Sequence, residues 1–292
     1  MKSLFYLLAT PLLALAQNWP PPANVTGDTA VHDPSICLDK DGKYWLFTTS
    51  VDLQIITSED RKAWTSIGTM WAPGEAVWTN KYAINGSLWA PDCHYINNEF
   101  WVYYAASTIG SRNSAIFLAR SKTGLPGNWT NEGLVTSTSP TDNYNAIDPK
   151  FPLLPNDGSI ANSSLTSLAM RNVNNGAIEG SYLFQVGSYY YLFSSWDVCC
   201  AGVNSTYNVR VARSTSPSGP FVDQDGVNAL NGGGTLILGT HGSIIAPGGE
   251  SVFMDKNDTV TLVYHYVTPN GSFLGLNGLN FSTGWPVVTA LE

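Results

Sequence analysis

Three carboxylates in this chain stand beside proline or glycine inside otherwise apolar segments. Asp33 lies in Val31-His32-Asp33-Pro34-Ser35, Asp148 in Tyr144-Asn145-Ala146-Ile147-Asp148-Pro149, and Glu179 in Ala177-Ile178-Glu179-Gly180. A carboxylate is costly to bury unpaired, so acids in such settings are more often held for chemistry than for packing. Paired carboxyls supply the general acid and general base that hydrolyse the acetal link between two sugars. The competing reading of each is a turn acid that caps backbone N–H groups beside Pro or Gly.

The elements that must position these acids are strands. Four aromatic, β-branched runs dominate: Lys43-Tyr44-Trp45-Leu46-Phe47-Thr48-Thr49, Phe100-Trp101-Val102-Tyr103-Tyr104-Ala105, Tyr189-Tyr190-Tyr191-Leu192-Phe193-Ser194 and Val260-Thr261-Leu262-Val263-Tyr264-His265-Tyr266. No long helical periodicity competes with them. Each follows a small motif carrying an acid: Asp33-Pro34-Ser35, Ala90-Pro91-Asp92, Ile178-Glu179-Gly180 and Pro247-Gly248-Gly249-Glu250. This is the pattern of an internal repeat in which an acid-bearing inner strand turns into an aromatic strand packed behind it. With Asp148 the anchors number five, which predicts an all-β, five-bladed propeller; a β-sandwich is the structural competitor. The interval from Asp148 to Glu179 holds Pro149, Pro152 and Pro155 and no aromatic strand, so the third blade is expected to be abbreviated.

Composition narrows the substrate. The net charge is -8 and the pI about 4.9, which argues against nucleic acid or an acidic polymer as partner. Charged residues make up 12% and aromatic residues also 12%, a balance suited to stacking on neutral sugar rings and equally to an aromatic β core. Residues 1–16 carry Lys2, an apolar run from Leu4 and a small-residue site at Ala14-Leu15-Ala16, which predicts a secretory signal peptide followed by one domain over 17–292. Asn-x-Ser/Thr sequons at Asn24, Asn85, Asn128, Asn162, Asn204, Asn257, Asn270 and Asn280 agree with an extracellular glycoprotein. No other segment is apolar enough to span a bilayer. Cys37, Cys93, Cys199 and Cys200 lack zinc-site spacing; Cys199 and Cys200 could bond to each other, pair elsewhere or stay free.

Taken together, His32-Asp33-Pro34-Ser35, Leu88-Trp89-Ala90-Pro91-Asp92, Asn145-Ala146-Ile147-Asp148-Pro149, Ile178-Glu179-Gly180 and Ser194-Ser195-Trp196-Asp197-Val198-Cys199-Cys200 resemble the family-43 glycoside hydrolases, in particular fungal endo-1,5-α-L-arabinanases. Ser107-Thr108-Ile109-Gly110-Ser111, Asn231-Gly232-Gly233-Gly234-Thr235 and Ser282-Thr283-Gly284-Trp285-Pro286 extend the likeness over nearly the whole mature chain. The resemblance implies a five-bladed propeller that hydrolyses arabinan, or another neutral plant cell-wall polysaccharide, with inversion. It makes Asp33 the general base, Glu179 the general acid and Asp148 the neighbour that holds a proton on Glu179 and orients it. It offers Trp89, Gly110 and Asn145 as sugar contacts, with core packing for Trp89 and a turn hydrogen bond for Asn145 as the plainer roles. Asp92 is as readily structural as a contact to the site.

No cofactor is required for this chemistry. The resemblance does suggest a structural calcium ion near the axis, with His241 as a ligand, although Pro247-Gly248-Gly249 stands where some relatives carry Pro-Gly-His. Relatives usually carry an aromatic strand after the Asp148 motif that is absent here, which predicts a less stable and weakly active form. An exo-acting arabinofuranosidase or β-xylosidase of the same fold, and a carbohydrate-binding propeller with little turnover, are the competing functions. A monomer is expected.

Overall fold

The computed structural model describes residues 18–150, 166–173 and 176–291. The proposed leader and most of the proline-rich interval lie outside the described residues. The first strands are β1 (Thr26–Gly27), β2 (Ser35–Leu38), β3 (Tyr44–Thr48), β4 (Ser50–Val51), β5 (Gln54–Ser58) and β6 (Ala63–Thr69). All but β4 form sheet 1, in the order β1-β6-β5-β3-β2. The short β4 pairs instead with β7 (Ser87–Ile96), and β8 (Glu99–Ala106), β9 (Ser114–Ser121) and β10 (Thr130–Thr138) extend sheet 2 outward from it. Sheet 3 is β11 (Ile178–Val186), β12 (Tyr189–Trp196), β13 (Asn208–Ser214) and β14 (Thr235–Leu238), and sheet 4 is β15 (Ile245–Met254), β16 (Val260–Thr268), β17 (Gly271–Asn280) and β18 (Val287–Thr289).

Each acid motif opens an inner strand and each aromatic run is the second strand of its sheet, antiparallel to the first: β3 on β2, β8 on β7, β12 on β11 and β16 on β15. These second strands are apolar on both faces because each lies between strands within its sheet and between neighbouring sheets. Leu46, Phe47, Val102, Tyr104, Phe193, Leu262 and Tyr264 are fully buried. The blade reading and the propeller architecture therefore hold.

The blade count does not. The described residues form four sheets, not five. The inner strand of sheet 1 packs against those of sheets 2 and 4, and the inner strand of sheet 3 packs against that of sheet 4. Among the described residues, the segment Asn145–Lys150, which forms no strand, lies between sheets 2 and 3. Prolines deny a central strand the donors it needs.

Ring closure falls to the N-terminal segment, which runs along sheet 4 before entering sheet 1. Ala23 N donates to Leu276 O at 2.8 Å, Val31 N to Ser272 O at 3.2 Å, and Leu274 N to Thr29 O at 2.9 Å. A disulfide between Cys37 on β2 and Cys93 on β7, with Cα atoms 5.7 Å apart, ties sheets 1 and 2. Cys199 and Cys200 are bonded to each other.

Candidate active site

The inner strands share a backbone device. Asp33, Ala90, Asp148 and Ala246 each precede a proline and each adopt a left-handed φ, at 46°, 42°, 52° and 49°. Such a conformation costs a non-glycine residue about 1–3 kcal/mol and persists where the surrounding structure fixes it. The ladders of β7, β11 and β15 also shift register at this point, between Trp89 and Asp92, between Glu179 and Tyr182, and between Ile245 and Ser251. Bulges of this kind re-aim side chains. They explain how acids from distant parts of the chain converge.

Asp33 is the most tightly held of them. Its Oδ2 accepts from Thr49 Oγ1 at 2.8 Å, and that hydroxyl accepts in turn from Ala90 N at 2.8 Å. Its backbone N–H donates to His265 Nδ1 at 3.1 Å, while His32 Nε2 lies 3.7 Å from Oδ2. Burial opposes ionisation of Asp33, but His32, His265, the Thr49 hydroxyl and Lys150 outweigh it and hold the carboxyl below the usual range. Burial and the neighbouring His32 push His265 down to about 3, so this ring is neutral and its Nδ1 is available as an acceptor. A Cβ at residue 249 would lie 2.3 Å from Asp33 Oδ1 and 2.7 Å from His265 Nδ1, so only glycine fits there.

Glu179 and Asp148 are coupled through backbone and charge. Asp148 Oδ2 accepts from Gly180 N at 2.9 Å, one residue beyond Glu179. Tyr207 donates to Glu179 Oε1 at 3.0 Å, which leaves Oε2 to carry a proton. Burial, then Asp33 and Glu179, raise Asp148 to about 7. Burial also raises Glu179, with Asp33 adding to the effect and the Tyr207 bond opposing it. One carboxyl shifted down beside two shifted up is the asymmetry that an acid–base pair requires.

The remaining candidates are distributed unevenly. Trp89 is half-buried on β7 with its Nε1 donating to Ser87 Oγ at 3.2 Å, and it adjoins the site through Ala90 and Thr49. Asn145 donates to Ser111 O at 3.3 Å, the plainer role expected of it, while its buried Oδ1 has no hydrogen-bond partner among the described residues. Gly110 sits in the exposed turn closed by Ser111 N to Thr108 O and reaches the site only through that Asn145–Ser111 link. Asp92 is fully buried with His94 Nε2 2.9 Å from its Oδ2, a structural setting at the axis.

His241 lies elsewhere, between β14 and β15, with its Nδ1 2.8 Å from Gly239 O and its ring beside Trp19. Among the described residues it belongs to no cluster of three or more His, Cys, Asp or Glu side chains. Its Nε2 is buried and has no hydrogen-bond partner among the described residues, which leaves one ring nitrogen open to a ligand. The cluster that does form, His32, Cys199 and His265, commits its sulfur to the Cys199–Cys200 bond.

Sequence reasoning missed Thr49, Tyr207, His265 and Lys150 as members of the site. For Lys150 a signal existed: it follows its x-Pro motif at the same offset as Asp92 follows Ala90-Pro91. Nothing local marks Tyr207.

A propeller that brings Asp33, Asp148 and Glu179 within electrostatic reach of one another, the first shifted down and the other two up, has the arrangement of a glycoside hydrolase site. The sequence profile of the glycosyl hydrolases family 43 matches residues 22–160 and 152–286. The chain is 37% identical to arabinan endo-1,5-alpha-L-arabinosidase A of Aspergillus niger, with 99% of this chain and 100% of the relative covered. That alignment runs over 326 positions against the 292 residues here, so the relative carries residues without a counterpart in this chain. The GH43 endo-arabinanase from Bacillus licheniformis superposes with a TM-score of 0.81 at 33% identity, over 90% of this chain and 99% of that one. An exo-1,5-alpha-L-arabinanase from a bovine ruminal metagenomic library gives 0.82 at 30% identity, over 91% and 100%. The chain belongs to glycoside hydrolase family 43.

Proposed function

We propose that this protein is a secreted endo-acting hydrolase of α-1,5-linked arabinan that inverts configuration at the cleaved carbon. The observation that carries the reading is the split among the three acids. Asp33, whose carboxyl is held below the usual range by His32, the Thr49 hydroxyl and Lys150, takes a proton from the attacking water. Glu179, raised by burial and by Asp33 and braced at Oε1 by Tyr207, donates from Oε2 to the departing sugar oxygen. Asp148 braces the backbone beside Glu179 by accepting from the Gly180 N–H. Water and carboxyls suffice for these steps. Secretion draws support from the two disulfides, which belong to an oxidising compartment, and from sequon exposure: every sequon asparagine among the described residues is exposed.

The test is product analysis on linear 1,5-arabinan with the native chain beside Glu179→Gln. Internal cleavage predicts a ladder of oligosaccharides, and the variant should lose roughly a hundred- to ten-thousand-fold in kcat, the range for a positioned general acid. Free arabinose as sole product would convert the reading to the exo activity named for the metagenomic relative. Saturable binding with no product from the native chain would leave a carbohydrate-binding propeller.

A further inference from the structure

Five carboxyls crowd the mouth and axis of this propeller: Asp33, Asp92, Asp148, Glu179 and Glu250. Asp92 and Glu250 are fully buried, and Glu250 Oε1 has no hydrogen-bond partner among the described residues. So many acids in a poorly solvated volume cannot all ionise. A fixed cation changes which of them do.

Lys150 is placed to be that cation. It occupies the offset after Asp148-Pro149 that Asp92 occupies after Ala90-Pro91 and Ser35 after Asp33-Pro34, so the abbreviated blade puts an amine where its neighbours put an acid or a hydroxyl. Its side chain is only 14% exposed; Nζ lies 3.9 Å from Asp92 Oδ1 on β7 and 5.1 Å from the centre of the Tyr182 ring on β11. It thus spans the seam between sheets 2 and 3, anchored by a carboxylate on one side and an aromatic face on the other. His94 backs Asp92 from the far side.

We propose that Lys150 is a positioning residue of the hydrolytic site, an ammonium built into the axis whose charge selects which carboxyls of the ring are ionised. The inference rests on the roles given to Asp33 and Glu179 above. Lys150 lowers Asp33, Asp148 and Glu250 alike. Asp33 also faces His32, and His265 on β16; Asp148 faces Asp33 and Glu179; Glu250, on β15, meets Ser195 and Asp148. Asp33 is the acid meant to be ionised, so removal of the charge is read there first.

The experiment compares Lys150→Met, which keeps the stem over Tyr182, with Lys150→Arg, which keeps the charge. In Lys150→Met the acidic limb of the kcat/KM pH profile, set by Asp33, should move upward by roughly half to one pH unit, with KM for arabinan little changed, while Lys150→Arg keeps the native limb. A uniformly lowered profile with unmoved limbs, or equal displacement in both variants, overturns the proposal. Infrared difference spectra count protonated carboxyls without turnover: Lys150→Met should hold more of them at mildly acidic pH than the native chain, and an unchanged count also overturns it. That count is readable even if the native chain released no sugar, which would sink the hydrolase reading and not this one. If Lys150→Met fails to fold, Lys150→Gln is read in the same two ways.

Discussion

The seam between sheets 1 and 2 and the seam between sheets 2 and 3 solve the same problem by different means. At the first, two inner strands pack directly, Cys37 bonds Cys93, and Cys93 N donates to Ser35 Oγ at 3.0 Å. At the second, a strandless segment is laced to both neighbours: Ala146 N donates to Thr138 Oγ1 at 3.0 Å, Gly180 N to Asp148 Oδ2, and Lys150 reaches Asp92 and Tyr182. Asp33 sits by the closed seam and the Asp148–Glu179 pair by the laced one. Packing fixes the first region through apolar burial, which is non-directional and shared among many residues. The second depends on a few polar contacts, each of which can be removed singly.

Breaking the closed seam should have the largest effect on stability. Cys37→Ser with Cys93→Ser should lose about 2 to 5 kcal/mol, read from denaturant unfolding, with the arabinan product pattern unchanged in the folded fraction. A loss well below that range would mean that packing alone holds the seam. At the laced seam, Thr138→Val removes the acceptor of a buried N–H and should cost about 1 to 3 kcal/mol. Unlike the disulfide change it should also lower kcat, because the Asp148 segment hangs from that bond; an unaltered kcat would separate Thr138 from the site.

The smallest effect sharpens the contrast through pH. Burial raises Glu250, inside β15, to about 8, and Asp148, in the lacing segment, to about 7. Both lie above their values in an unfolded chain, so the folded state holds protons that the unfolded state has released, and stability falls as pH rises toward 8. His265, lowered from 6.5 to about 3, works in the opposite direction but only below pH 6.5. The decline from pH 6.5 to 8 therefore belongs to the raised carboxyls, Glu250 foremost. Glu250→Gln should flatten the fall of Tm across that window; an unchanged slope would show that Glu250 is ionised throughout.

The local code was legible where one strand suffices to express it. The aromatic runs around Trp45, Tyr103, Tyr191 and Tyr264 are second strands because burial on both faces of a pleated sheet selects those residue types. Asp33, Asp148 and Glu179 were recognisable as a set because each combines an acid with Pro or Gly in an apolar setting; the left-handed turns at Asp33 and Asp148 and the bulge at Glu179 are the structural expression of those motifs. Counting one blade per acid failed because Asp148 carries a motif without a sheet: proline denies the ladder its donors, and the site needs only the turn.

What the sequence determined by itself was the strand repertoire, the repeat of x-Pro turns and the identity of three acids, because those follow from side-chain chemistry within about ten residues. The tertiary structure alone decided the rest. Tyr207 meets Glu179, His265 meets Asp33 across 232 residues, and Gly249 leaves room for both Asp33 and His265. Protonation at the axis depends on how many carboxyls and which cation share one desolvated volume, and that is a property of distances in space, which no spacing along the chain encodes.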